Sequence, residues 1–338
     1  MTPDLFAPAP ELRFTAEGPR AARRHFRAEY GAALAPRNGP PPGATVSVTF
    51  GAGHTHAAEE CARGGHKSVR WTVALGDPDR EPLSVRIGIR GHPRRFALSL
   101  VQGFVVEPLV SVAAARADLV LLPAGALVAG GGAVILLGRS GAGKTSVVAR
   151  ALADGHQALG DDQIILAGQG VVRPWPRRLR VYPDLRATAP TAVGRLPTRR
   201  RAALGGLAAL NRVTRGWVAP SLPLRWRELG AAPAAGPVPA DRVIVLERGG
   251  AAGAVAAEPL PGDAVTALAG EILREQRARF AELAGQRWTE ALADTERRER
   301  ILLQHALGDL PAERWKVPAA WPASTAVAAL AARLGVGG

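Results

Sequence analysis

Short segments in the first third of the chain alternate apolar and polar residues with the period of two that is typical of strands with one buried face. The clearest runs are TVSVTFG (45–51), SVRWTVALG (68–76) and LSVRIGIRG (83–91). We interpret RRFALSLVQGF (94–104) in the same way, and GDPDREP (76–82) as a turn. Residues 1–35 are expected to be partly helical, and the alternating runs that follow predict an antiparallel meander. Residues 1–112 are therefore expected to form an N-terminal β-rich domain for recognition or dimerisation.

Beyond residue 117 the apolar runs become continuous, as in strands that are buried on both faces. The segment ADLVLLPAGALVAGGGAVILLG (117–138) predicts such strands around a glycine turn. A helix is expected over KTSVVARALADG (144–155), ending at Gly155, and short strands over HQALGDDQIILAGQGVV (156–172).

The remaining segments alternate between loops, one strand and helices. We predict an irregular exposed loop in RPWPRRLRVYPDL (173–185), a helix in TRRRAALGGLAALNRV (198–213), a strand in DRVIVLERG (241–249) and mostly helix from residue 262, with Asp263 as a helix N-cap. These patterns favour an α/β domain over residues 113–265 and a helical C-terminal region over residues 266–338.

The composition is that of a globular chain long enough for two domains. The 338 residues are 47% apolar and 21% charged, and no apolar run is long enough to cross a membrane. The N-terminus does not have the pattern of a signal peptide. The single cysteine, Cys61, excludes an internal disulfide and an all-cysteine metal site. We therefore expect a cytoplasmic protein with no membrane partner.

The chain carries 43 basic and 29 acidic residues, a formal net charge of +14. Such an excess suits nucleic acid, an acidic peptide or a phosphate-rich ligand. The basic residues are scattered apart from 176–180 and 197–201, and no aromatic residues interleave with them, which argues against nucleic acid. The only lysines are Lys67, Lys144 and Lys316, so a lysine at the end of a glycine-rich loop is informative.

The segment GRSGAGKT (138–145) matches G-x-x-x-x-G-K-[ST] in full, between an apolar strand and a helix. Glycines let consecutive N–H groups point into one concavity, and the helix N-terminus adds its positive end. Lys144 would reach phosphate oxygens, and Thr145 would ligate Mg²⁺. The predicted nucleotide-binding residues are Gly138, Ser140, Gly141, Ala142, Gly143, Lys144, Thr145 and Ser146.

Two adjacent carboxylates, Asp161 and Asp162, follow 17 and 18 residues after Lys144. At the end of a strand both can approach one site. One would serve the metal, and the other would accept a proton from an attacking hydroxyl. A polar Gly-Asp-Asp turn is the alternative. The sequence does not divide the two roles.

The segment GRSGAGKTSVVARALADGHQALGDDQIIL (138–166) resembles the HPr kinase/phosphorylase family and its stand-alone serine-kinase relatives, including those of lasso-peptide and other ribosomal-peptide biosynthesis clusters. Weaker support comes from RPWPRRLRVYPDLR (173–186) and VIVLER (243–248). The resemblance implies a P-loop kinase fold related to phosphoenolpyruvate carboxykinase, ATP and Mg²⁺ as cofactors, and a hydroxyl acceptor. It implies Lys144, Asp161 and Asp162 as catalytic residues, with Thr145 and Asp161 at Mg²⁺. Relatives are often oligomeric, so a homo-oligomer is a further expectation.

The sequence departs from the family at two points. The region AGQGVVRPWP (167–176) has no acidic residue where the bifunctional enzymes carry a glutamate-containing glycine-rich signature. The strand region before the P-loop, LLPAGALV (121–128), lacks the histidine that many relatives have. The missing signature weakens the expectation of phosphorolysis. The missing histidine leaves open whether acceptor handling or proton transfer differs from the family or whether the protein is a weak catalyst.

Two other groups of residues could carry chemistry. The segment 51–67 contains potential zinc ligands, but their spacing fits no standard structural site, and we predict exposed polar residues in a loop leading into a helix. These ligands are His54, His56, Glu59, Glu60, Cys61 and His66. An arginine cluster could stabilise a phosphoryl-transfer transition state or be a solvated basic loop. Its members are Arg173, Arg177, Arg178, Arg180 and Arg186.

Three functions remain compatible with these residues. The first is an ATP- and Mg²⁺-dependent kinase acting on a serine of a peptide or protein. The second is a small-molecule hydroxyl kinase on the same fold. The third is a nucleotide-dependent regulatory or binding protein that transfers no phosphoryl group.

Overall fold

The computed structural model describes residues 3–35, 45–51, 61–215, 217, 221–230, 234–250 and 253–336. Helices and mixed β-sheets are both present, which confirms the α/β class. The strands are β1 (Asp4–Ala9), β2 (Leu12–Glu17), β3 (Val46–Phe50), β4 (Cys61–His66), β5 (Val69–Leu75), β6 (Leu83–Arg90), β7 (Leu119–Leu122), β8 (Gly125–Ala129), β9 (Gly132–Leu137), β10 (Gln157–Gly160), β11 (Ile164–Ala167), β12 (Val171–Pro174), β13 (Leu179–Val181), β14 (Leu222–Leu224), β15 (Val238–Gly250), β16 (Ala256–Pro259) and β17 (Ala312–Pro318). The α-helices are α1 (Arg20–Glu29), α2 (Arg94–Val101), α3 (Glu107–Arg116), α4 (Lys144–Ala153), α5 (Leu185–Thr188), α6 (Pro190–Arg195), α7 (Thr198–Val213), α8 (Gly262–Ala284), α9 (Thr289–Leu307) and α10 (Ala323–Arg333).

The chain divides into two compact units. The first comprises Met1–Leu121 and Gly270–Leu303, and the second comprises Leu122–Ala269 and Gln304–Gly338. Residues 266–338 therefore contribute to both units.

The first unit contains a six-stranded sheet in the order β1-β2-β3-β6-β5-β4. The predicted antiparallel meander is wrong because β3 runs parallel to both of its neighbours, β2 and β6. The other neighbouring strands are antiparallel. Alternation identifies a strand with one covered face, but it carries no information on the direction of the partner strand.

The segment 94–104, predicted as a strand, is helical. Helix α2 continues through a π-helical turn at Gln102–Val106 into α3, giving one helix from Arg94 to Arg116. The expectation that no apolar run is long enough to cross a membrane is wrong for this helix, which is long and apolar enough, but most of it is buried inside the protein, as in a core helix. In FALSL (96–100) the large apolar residues alternate with the small Ala97 and Ser99, which imitates the period of a strand, although the buried Ala97, Leu98 and Val101 have the spacing of a helix.

The core of the first unit lies on one face of this sheet. The aromatic rings of Phe6, Phe14, Phe26 and Tyr30 contact one another there and are almost completely buried. Residues 1–35, predicted as partly helical, supply α1 but also β1 and β2.

Long-range pairing organises the sheet of the second unit, which contains the order β10-β8-β9-β15-β12-β11. The long strand β15 lies parallel to β9 on one side, and β17 pairs parallel to β15. The prediction of a mostly helical C-terminus is confirmed by α8, α9 and α10, but the sequence did not indicate strand β17 between them. The apolar core is formed by residues of β9, α4 and β15, among them Leu136, Val147 and Ile244.

Other predictions for this unit have clear outcomes. The strand in 241–249 and the helix in 198–213 are confirmed. The exposed loop in 173–185 is wrong in part, because it contains β13 and the buried Trp175. Helix α8 begins at Gly262, so Asp263 lies in its first turn and is not the N-cap.

Candidate functional site

The glycine-rich segment forms the connection between β9 and α4. Strand β9 is buried from Ala133 to Leu137, and α4 begins at Lys144 with its inner face buried against the core. The helix ends as predicted, because the N–H of Gly155 bonds to the carbonyl of Leu152. A strand and a helix that are both anchored in the core hold the loop between them.

Two glycines allow the path of this loop. Gly143 immediately precedes α4 with φ of 99°, in the left-handed region. Gly138 has φ of 151°, and a β-carbon there would lie 2.6 Å from the carbonyl oxygen of Leu246. The first N–H groups of a helix have no intrahelical partner, so the loop and α4 present donors and a positive helix end together.

The side chain of Lys144 folds back over the loop that precedes it. Its Nζ donates hydrogen bonds to the carbonyl oxygens of Gly138 and, over 3.2 Å, of Arg139. Burial lowers the pKa of this amine, whereas the charges of Asp162 and Asp161 raise it. The lysine and both aspartates are therefore close enough to interact electrostatically.

The other residues predicted at this loop differ in exposure. Ser140 and Gly141 are exposed, whereas Ala142, Gly143 and Thr145 are half-buried. Ser146 is buried, and its hydroxyl accepts a hydrogen bond of 3.1 Å from the hydroxyl of Thr188. This contact joins the first turn of α4 to the end of α5.

The aspartate pair directly follows β10, and the two side chains lie in contrasting environments. Asp161 is 5% exposed, and its Oδ2 has no hydrogen-bond partner among the described residues. The carboxylate accepts hydrogen bonds from the backbone N–H groups of Arg180 and of Asp161 itself. The side chain of Asp162 is 55% exposed.

Burial, and after it the neighbouring charge of Asp162, raises the pKa of Asp161 to about 7. Arg177 and the two backbone donors oppose this shift. A carboxyl group with a pKa near neutrality can take up and release a proton under ordinary conditions. An unpaired buried oxygen is costly for stability, so it marks Asp161 as a candidate functional residue.

One arginine connects the aspartates to the segment that follows β12. The guanidinium of Arg177 lies 3.5 Å from Asp162 and donates over 3.4 Å to the Oε1 of Gln163. The backbone carbonyl of Arg177 accepts a hydrogen bond of 2.8 Å from the indole of Trp226. Arg177, which the sequence indicated only as one of five arginines, is therefore held beside the aspartates.

The structure adds two residues that the sequence did not indicate. Tyr182 is half-exposed, and partial burial together with the charges of the two aspartates raises the pKa of its hydroxyl. Thr188 is buried against Ser146. Tyr182 lies within the proline-rich segment 173–185 and Thr188 follows it, and no motif relates either residue to the glycine-rich loop in sequence.

Three features of the site suit a phosphate group and a divalent cation. Gly138 and Gly143 keep the loop free of side chains where it turns, and Lys144 supplies an ammonium. The hydroxyl of Thr145 and the carboxylate oxygens of the aspartates are the hard ligands that Mg²⁺ prefers. The oxygen of Asp161 without a described partner leaves one acceptor available for a proton or a cation.

The structure gives little support to the two other groups of candidate residues, the potential zinc ligands and the arginine cluster. Cys61 and His66 are the ends of β4, not part of a helix, while His54, His56, Glu59 and Glu60 lie outside the described residues. Over the described part of the chain, no group of three or more His, Cys, Asp or Glu could hold a metal ion. Among the clustered arginines, Arg186 is exposed and the other four are half-buried.

No protein-family model matches the chain, and a search of curated proteins finds no match.

Proposed function

We propose that the second unit is an ATP- and Mg²⁺-dependent kinase that transfers the γ-phosphoryl group to a hydroxyl. The acceptor we favour is a serine of a peptide or protein, and the alternative is a small-molecule hydroxyl. The observation that carries the proposal is Asp161, a buried carboxyl with a pKa of about 7 that interacts electrostatically with Lys144 of the P-loop. Phosphate binding and proton acceptance are thereby combined in one site.

The loop and α4 account for nucleotide binding. The backbone of residues 138–146 would hold the phosphate oxygens through its N–H groups and the positive end of α4. Lys144 would move its ammonium from the carbonyls of Gly138 and Arg139 to phosphate oxygens, which carry more negative charge. Bound ATP with Mg²⁺ supplies the phosphoryl group and the cation that offsets its charge.

The different environments of the two aspartates suggest a division of roles. Asp161 would accept the proton of the acceptor hydroxyl at Oδ2, since this oxygen has no other described partner and the pKa is near neutral. Asp162 is exposed, and with Thr145 it would serve the metal. Arg177 would orient Asp162 and offset negative charge at the site.

The finer fold assignment is also a proposal. A glycine-rich loop before α4, with an aspartate pair at the end of the next strand, is the arrangement that the resemblance to the HPr kinase-like family implies. The family and its relation to phosphoenolpyruvate carboxykinase rest on these elements and on the motif. Cytoplasmic location is also proposed, because the helix from Arg94 to Arg116, although long and apolar enough to cross a membrane, is mostly buried inside the protein.

The test uses γ-labelled ATP with Mg²⁺ and a cell extract separated into peptides, proteins and small molecules. We expect label to enter one fraction with the native protein and to disappear with Lys144→Ala and Asp161→Asn. Nucleotide binding, measured separately with a fluorescent ATP analogue, should be lost in the lysine variant and kept in the aspartate variant. Turnover should rise with pH around an apparent pKa near 7, as Asp161 loses its proton.

Lys316→Ala is the matched control, because it removes a lysine from the same unit at a surface ion pair with Glu258. It should change neither binding nor transfer. Nucleotide binding without label in any fraction would refute the kinase and favour a nucleotide-dependent regulatory protein. Absence of nucleotide binding would refute both.

A further inference from the structure

The face of the first unit's sheet that points away from the aromatic core carries exposed arginines at the β4, β5 and β6 side. Register places Arg63 opposite Thr72 and Arg70 opposite Arg90, on three neighbouring strands. All three arginines are exposed, whereas Val69, Trp71 and Val73 on the other face are buried. We call Arg63, Arg70 and Arg90 the arginine triad.

Like charges lie close together in this triad. Side chains directly opposite on neighbouring antiparallel strands have β-carbons about 5 Å apart, and diagonal pairs such as Arg63 and Arg70 are about 7–8 Å apart. Like charges directly opposite destabilise a sheet. The guanidinium of Arg70 donates to the carbonyl oxygens of Lys67 and Val69 at the hairpin, and its remaining N–H groups can bind an anion.

The floor between the arginines is formed by small residues. Thr72 lies between Arg63 and Gly88 in register, and Gly65 lies opposite Arg70. The side chain of Arg70 extends over Gly65, since a β-carbon there would lie 2.6 Å from its Cδ. An open depression of about 450 Å³ is present at this hairpin. Its lining residues are Arg63, Gly64, Gly65, His66, Lys67 and Arg70.

Acidic residues are scarce on this sheet. The six strands contain two carboxylates, Asp4 and Glu17. Asp4 is buried in ion pairs with Arg23 and Arg27 of α1, and Glu17 accepts a hydrogen bond from Thr49 on β3. No member of the triad forms an ion pair with an acid in the described part of the chain.

We infer that the arginine triad docks an acidic segment of the polypeptide acceptor. The substrate class would then be an acidic peptide or protein. The inference rests on the proposed function, because only a kinase of this kind has a polypeptide acceptor to dock. An extended segment with acidic residues at alternate positions presents carboxylates about 7 Å apart on one side, which matches the diagonal spacing of Arg63 and Arg70. Arginine suits this partner because its guanidinium binds carboxylates in a bidentate manner. Nucleic acid is disfavoured, because Arg63, Thr72, Arg70 and Arg90 offer no aromatic ring on which bases could stack.

The test measures binding of a fluorescein-labelled peptide of alternating glutamate and serine to the full chain by fluorescence anisotropy at low salt. Arg70→Gln/Arg90→Gln should weaken binding about tenfold. Arg70→Lys/Arg90→Lys, which keeps the charge, should weaken it less. The matched control is Arg20→Gln/Arg24→Gln, which removes two exposed arginines from α1 of the same unit and should bind as the native protein does.

Three results would overturn the inference: equal binding by the native protein and the Arg70/Arg90 variant, equal loss in the α1 control, or equal binding of a peptide with glutamine in place of glutamate. Stronger binding of single-stranded DNA than of the acidic peptide would assign the face to nucleic acid instead. The assay contains no nucleotide. Peptide binding that depends on the triad, in a protein that does not bind ATP, would therefore refute the proposed kinase and leave the acidic docking face standing.

Discussion

Replacing Asp161 by asparagine is expected to remove the proposed catalytic base and, at the same time, to stabilise the protein at neutral and basic pH. The reason is the burial of this carboxyl, which is 5% exposed and leaves one oxygen without a described hydrogen-bond partner. Ionising it in the folded state is unfavourable, so residues at such sites are retained for function at the expense of stability.

The direction and size of the effect follow from the pKa of Asp161. It is 3.8 for an unperturbed aspartate and about 7 in the folded protein. Between these values the folded state keeps the proton that the unfolded state has lost, so stability decreases as pH rises through this window and levels off above it. A shift of about three units corresponds to on the order of 4 kcal/mol. Asparagine cannot titrate and should avoid this loss.

The assay is denaturant unfolding followed by tryptophan fluorescence at pH 5 and pH 8. We expect the native protein to lose stability between the two values relative to Asp161→Asn. Asp241→Asn is the matched control, because Asp241 lies in the same unit, its side chain is 58% exposed and its ion pair with Arg242 should contribute little. If native and Asp161→Asn proteins changed in parallel between pH 5 and pH 8, burial would not set the pKa of Asp161 and the assignment of the base would fail.

Two further predictions concern residues that shape each unit. Glu299→Ala should lower the free energy of unfolding by about 3–5 kcal/mol, because it leaves the guanidinium of Arg277 buried and uncompensated. The double variant Arg277→Met/Glu299→Leu should recover most of this loss. A minor effect of Glu299→Ala in urea titrations would contradict the prediction. Gly143→Ala should lower the free energy of unfolding by about 1–2 kcal/mol and weaken binding of the ATP analogue, because φ of 99° strains any residue with a β-carbon. Unchanged binding would mean that the path of the loop does not depend on this glycine.

The sequence could predict those features of the site that are decided by residues close together in the chain. The P-loop motif, its flanking strand and helix, and the end of α4 near Gly155 were all predictable, because glycine conformations and helix termination are decided over a few residues. The aspartate pair was found from its spacing to Lys144. The different environments of Asp161 and Asp162 could not be found in this way, because burial depends on residues brought in from elsewhere.

The same distinction explains the errors in the fold. The strand pattern of β3, β5 and β6 was visible as alternation, but the parallel partners of β3 were not. Strand β17 lies between helical segments and owes its place to pairing with β15, some 70 residues earlier in the chain. The sequence by itself therefore determined the local elements and the glycine-rich loop between β9 and α4, since these depend on periodicity and backbone preference. Only the tertiary structure decided strand direction, the burial of Asp161 and the assembly of the arginine triad, because each of these requires contacts between distant segments.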